Sequence, residues 1–237
     1  VYDDVRLLGN LDWLQQARRH DAALLKFANK GWMVHLGGAF NQNAERKSNH
    51  IYNGVPNGYA ASTNGMGAMY KSMQFLYVGK KLYFGNASLL AFKDDFSKYS
   101  YAEADVNKVT PIYEKGVWSR YTIGGNLFGT AVRKVAFAAS AFYQGGKYRD
   151  GTALGEYLLS LSASYAATRK LSVGPGVDFT SGNNGSDPAK KNKRFDPLYG
   201  TPHKFWGYMD YFYVADNFGT HNGLIDYYLK AKYTFKD

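Results

Sequence analysis

From Glu156 to Thr180 the chain alternates apolar and polar positions on either side of a tight turn. Tyr157, Leu159, Leu161, Ala163 and Tyr165 share one parity, Glu156, Ser160, Ser162 and Ser164 the other, and Leu158 is the one breach. After Thr168-Arg169-Lys170 the pattern restarts, with Leu171, Val173, Pro175, Val177 and Phe179 against Ser172, Gly174, Gly176, Asp178 and Thr180. A period of two predicts strands whose faces meet different environments. The apolar parity carries Tyr at its ends and small or aliphatic residues between them. The other parity holds Ser, Gly and acid, too small and polar for a packed core. That profile predicts hydrocarbon on one flank and water on the other, with aromatic rings at the two interfaces.

The same alternation recurs along the chain. Strands are expected at about Val1–Leu8, Asp21–Ala28, Trp32–Asn41, Ala68–Val78, Leu82–Phe92, Trp118–Ala131, Val135–Gln144, Lys204–Val214 and Gly223–Phe235, which with the opening pair makes about eleven. Tight turns are expected at Asn29-Lys30-Gly31, Gly79-Lys80-Lys81 and Val132-Arg133-Lys134, and long polar loops at Gln42–Gly67, Lys93–Val117, Gly145–Gly155 and Ser181–His203. Short and long connections therefore alternate, as they do in barrels with short periplasmic turns and long extracellular loops. The predicted fold is all-β: a single transmembrane antiparallel up-and-down β-barrel domain over residues 1–237, in a bacterial outer membrane. An odd strand count puts the two ends of the sheet on opposite sides of the membrane, so the stretch is expected to be an internal part of a larger barrel, with any export signal outside it.

Composition supports the strands and adds a charge. Aromatic residues make up 17% of the 237 positions, with 26 Gly and no Cys, which suits girdles and turns and excludes a disulfide scaffold or thiolate metal site. The net charge of +10 implies an anionic partner, lipopolysaccharide or an acidic polysaccharide. Its dispersal over strands and loops argues against nucleic acid.

Three stretches carry a resemblance: VYDDVRLLGNLDWLQQARRHDAALL, LKFANKGWMVHLGGAFNQN and RFDPLYGTPHKFWGYMDYF. Together they resemble the alginate export family of outer-membrane proteins in its Bacteroidetes-type form. The resemblance implies a barrel of about eighteen strands, of which this chain is a part, with an Arg- and Lys-lined pore that passes the polyuronate alginate. By motif position it assigns pore-lining roles to Arg6, Arg18 and Arg19 with Asp3, Asp4 and Asp21, and to Arg194, His203 and Lys204.

Parity independently turns Arg120, Lys204, Lys230 and Lys232 toward the aqueous side, where guanidinium and ammonium groups could attract a carboxylated sugar while interspersed acids keep each contact weak. The competing reading makes them ordinary wall charges paired with Asp178, Asp210 and Asp226. Arg18, Arg19, His20 and Asp21 form either a constriction or a solvated loop end, and Lys190, Lys191, Lys193 and Arg194 either recruit polyanion or are solvated. No catalytic set emerges, since inward His35 and Asn41 lack a neighbouring Ser. His spacing fits no zinc site, and no cofactor is expected. Two functions remain: a channel for anionic poly- or oligosaccharide, or a structural barrel with its lumen plugged by its own loops and other envelope proteins docked to it.

Overall fold

A computed structural model describes residues 1–10, 20–41, 70–107, 112–148, 151–183, 191–201, 204–207 and 223–235. Among the described residues ten strands carry the fold: β1 (Ala22–Asn29), β2 (Trp32–Phe40), β3 (Ser72–Leu82), β4 (Gly85–Ser100), β5 (Ile112–Val132), β6 (Val135–Lys147), β7 (Ala153–Ala166), β8 (Leu171–Thr180), β9 (Lys191–Asn192) and β10 (Leu224–Tyr233). Nine of them form one antiparallel sheet in the order β1-β2-β3-β4-β5-β6-β7-β8-β10, and the two-residue β9 pairs in parallel with the start of β7. The sheet is not closed among the described residues, and β1 and β10 are its edges. The chain is all-β there, with no helix long and apolar enough to cross a membrane, a test that says nothing about strands.

The two parities separate as the alternation predicts. Leu159 pairs with Ala141 and Phe179, and Leu161 with Ala139 and Val177, so apolar side chains form rows across neighbouring strands on one face. On this bare face Leu159 is 50% exposed, Leu161 57% and Leu229 73%. Leu158, the breach in the alternation, is 0% exposed because its parity places it on the opposite, covered face. There it joins Met73, Phe75, Tyr77, Leu90, Phe92, Phe96 and Phe142 in the core. Packed against them are Leu7, Phe195, Leu198, Tyr199 and Trp206, none of which belongs to a strand. The polar parity therefore does line a packed core along part of the sheet, contrary to expectation, because two irregular segments supply the apolar surface that the strands lack.

Several boundaries differ from the sequence reading. Residues 1–8 are not a strand but an irregular segment bridged in parallel at Leu8 to Tyr199. The second hairpin turns at Tyr83-Phe84, between paired Leu82 and Gly85, and not at Gly79-Lys80-Lys81. Gly-Lys-Lys has turn composition, yet Lys80 remains in the ladder, with its ammonium 4.4 Å from the Trp32 ring centroid and donating to the Lys30 carbonyl. Most of the expected loop Lys93–Val117 is strand, since β4 runs to Ser100 and β5 begins at Ile112. Residues 204–207 are not strand, and the rest of the expected strand to Val214 lies outside the described residues. The Lys30-Gly31 turn forms as predicted, both residues having positive φ (45° and 78°), the geometry of a twist-matched two-residue hairpin.

Candidate functional site

The covered face of β3 to β8 is occupied by residues 1–10 and by a second segment, residues 193–201 and 204–206, which enters where β9 pairs with β7. The two segments hold each other through backbone bonds: Tyr199 N–H donates to the Leu7 carbonyl, Gly9 N–H to the Tyr199 carbonyl and Thr201 N–H to the Val5 carbonyl, each at 2.9 Å. Gly200 must be glycine here, because a Cβ would lie 2.0 Å from the Arg6 carbonyl oxygen. Gln144 on β6 grips the second segment like a pairing strand, accepting from Asp196 N–H at 2.9 Å and donating to its carbonyl at 2.8 Å. The Asp196 carboxylate accepts from Leu198 N–H at 2.8 Å, closing an Asx turn that puts Leu198 at φ 52°.

Charge is buried beneath this layer. Arg120 on β5, 1% exposed, donates through Nε to Asp94 of β4 at 2.9 Å, and its Nη1 lies 2.9 Å from Asp196. Tyr199 donates its hydroxyl to the same Asp94 at 3.1 Å. Burial, reinforced by that carboxylate, pushes the Tyr199 hydroxyl well above its ordinary range and keeps it a donor. Glu156 of β7 is buried nearby with neither carboxylate oxygen hydrogen-bonded, and both Arg120 and Arg194 act on it electrostatically. Arg6, also buried, bonds Asp4 at 3.1 Å, Asp178 of β8 at 3.0 Å and Ser160 of β7 at 2.9 Å, while Phe205 lies under its guanidinium at 4.0 Å. Tyr2 bonds His35 at 2.9 Å, and Asp3 accepts from Tyr77 and Asn126. Burial raises the Asp3 carboxyl above its ordinary value, against the pull of these donors.

Among the described residues the covering layer stops short of the sheet's edge at β10. A groove of about 400 Å³ remains there, lined by Lys204, Phe205 and Trp206 on one side and by Asp178, Asp226, Tyr228 and Lys230 on the other. Gly176 leaves room for the Tyr228 ring to lie on the sheet, since a Cβ would come within 2.2 Å of it. Lys230 places its ammonium 4.4 Å from that ring's centroid.

The residues expected to line a pore thus divide into three groups. Arg6 and Arg120 do face the covered side but are neutralised in buried ion pairs. Arg120 pairs with Asp94 and Asp196, neither of them among the acids that the wall-charge reading named. Lys204, Lys230 and Lys232 are exposed, the first two together at the groove, while Asp21 is exposed beside β1 and Arg194 is half-buried at the entry of the second segment. Arg18, Arg19, His203 and Asp210 lie outside the described residues. Sequence reasoning missed Asp94, Glu156, Asp196 and Tyr199. The available signal was the Phe195-Asp196-Pro197-Leu198-Tyr199-Gly200-Thr201 run, more apolar and turn-rich than a solvated loop. Among the described residues no cluster of His, Asp or Glu could hold a metal ion.

No family model, curated protein or solved structure matches this chain.

Proposed function

We propose that the chain is part of the wall of an outer-membrane β-barrel that passes an anionic oligo- or polysaccharide, with its inward segments narrowing the passage. The bare face supports the membrane reading. On β7, Tyr157 and Tyr165 bracket Leu159, Leu161 and Ala163, about 27 Å along the strand, the reach of a tilted bilayer-spanning strand. Tyr143 and Phe179 flank Tyr157 at one end, and Trp32, Tyr83 and Tyr233 lie toward the tight-turn end, as interfacial girdles do. Because β1 and β10 run in the same direction, closure with antiparallel neighbours throughout takes an odd number of further strands between them. That arithmetic suits the larger barrel the resemblance implies.

The observation that carries the transport reading is the groove beside β10. Phe205 and Tyr228 line the groove above buried Trp206 and Asp178, Lys204 and Lys230 attract sugar carboxylates, and Asp226 weakens the hold. The experiment is single-channel recording, in planar bilayers, of the closed barrel that contains this chain. Anion-preferring conductance, blocked by acidic but not neutral oligosaccharide and less sensitive to block in Lys204→Gln/Lys230→Gln, is the expected result. Cation preference without block sinks the proposal. Buried Arg6 and Arg120 favour the second reading, a plugged structural barrel, which predicts no conductance and co-purification with envelope proteins.

A further inference from the structure

The bare face has a concavity of its own, about 610 Å³, near the tight turns. Its floor is made by small residues that meet across strands: Gly125 pairs with Ala141, and Leu127 with Ala87 and Ala139. Leu89 and Trp32 form its walls. At its mouth Lys80 pairs with Trp32 and with Ala87, its ammonium held against the indole ring. The strand ends and turns around the concavity are basic, and Asp3 of the covered segment is the acid that comes near them. The tight-turn stretches Lys26–Val34, Val78–Ala87, Gly129–Phe137, Ala163–Gly174 and Leu229–Phe235 contain Lys30, Lys80, Arg133, Lys134, Arg169 and Lys170 among other cations, and no Asp or Glu. Charge this one-sided complements a phosphate-bearing surface, and an apolar trough running from it complements an acyl chain.

We propose that this groove seats one acyl chain of an anionic phospholipid whose phosphate meets Lys80, in the leaflet on the tight-turn side. The proposal rests on the membrane reading above, which places the bare face in hydrocarbon. A small-residue floor lets a chain lie flush with the wall, where Leu or Phe would exclude it. The Trp32 ring holds the ammonium at the level where a headgroup would sit, so the two halves of the lipid are recognised on one row of the sheet.

The test uses the full chain, equilibrated in detergent with equal phosphatidylglycerol and phosphatidylcholine, with retained lipid counted by native mass spectrometry. Wild type is expected to keep phosphatidylglycerol in preference, Lys80→Gln to lose about five-fold in that retention with phosphatidylcholine unchanged, and Ala139→Phe to lose both. Equal retention of the two lipids by wild type, or unchanged retention in both variants, overturns the proposal. So does a mass showing a second copy or another protein bound in place of lipid. Insertion into pure phosphatidylcholine vesicles is measured in parallel. Failure of wild type to insert there sinks the membrane reading, whereas insertion without lipid preference sinks only the lipid seat.

Discussion

Arg120 shows how much one side chain's environment can change its meaning. Read by parity it is a cation turned toward water; in the fold it is the centre of a dry cluster that ties β4 and β5 to Asp196. Removing one member of a buried pair leaves the other charges unpaired, so Arg120→Ala is expected to lower unfolding stability by about 3–5 kcal/mol. Glu156→Gln is expected to cost no stability. Neither oxygen of Glu156 is hydrogen-bonded, so a neutral amide of the same size breaks no bond. Urea unfolding of the reconstituted protein checks both, and a Glu156→Gln variant less stable than wild type would show that the carboxylate has an essential partner. Leu158 is the plainer case. One apolar residue on the polar parity is not noise in the pattern but the spot where a second layer lands.

At the scale of elements the alternation did most of the work. β5, β6, β7 and β8 contain the expected segments and β2 and β10 fall inside theirs, with side chains on the faces that parity assigned. What failed were the irregular pieces. Residues 1–8 alternate well enough to imitate a strand, and Ser181 to His203 has the Gly, Asn and Lys content of a solvated loop. Residues 1–8 and 193–201 fold back onto the sheet, because Leu7, Phe195, Leu198 and Tyr199 bury themselves best against the aromatic stripe of β3 and β4. The two faces also give the sharpest test of solvent. In water, Leu161→Lys at a half-exposed position is nearly silent, whereas at a bilayer midplane it costs about 2–4 kcal/mol. We expect folding titrations in lipid vesicles to show that loss. No change would mean that the bare face does not meet hydrocarbon.

For the whole molecule the balance between passage and plug is set by two latches, Arg6 with Asp4, Asp178 and Ser160, and Arg120 with Asp94 and Asp196. Both anchor segments that reach the covered face from the same end of the sheet, where the longer connections gather. Releasing both, in Arg6→Ala/Arg120→Ala, is expected to raise conductance several-fold in the planar-bilayer assay and to expose residues 193–201 and 204–206 to added protease. Unchanged conductance together with unchanged protection would mean that the layer is held by its apolar contacts and that the ion pairs are not its latch.

Periodicity is a local property, so the sequence by itself determined the all-β class, the spacing of the strands and which side chains share a face. A two-residue repeat leaves the backbone few ways to satisfy its hydrogen bonds while keeping unlike residues apart. Only the tertiary structure decided what each face touches. Asp94 lies 105 residues before Tyr199 and carries no mutual signal in the chain with Asp196 or Tyr199; they meet because a loop returns to the sheet. The burial of Arg6 and Arg120, and the exposure of Lys204 and Lys230, follow from where that layer ends.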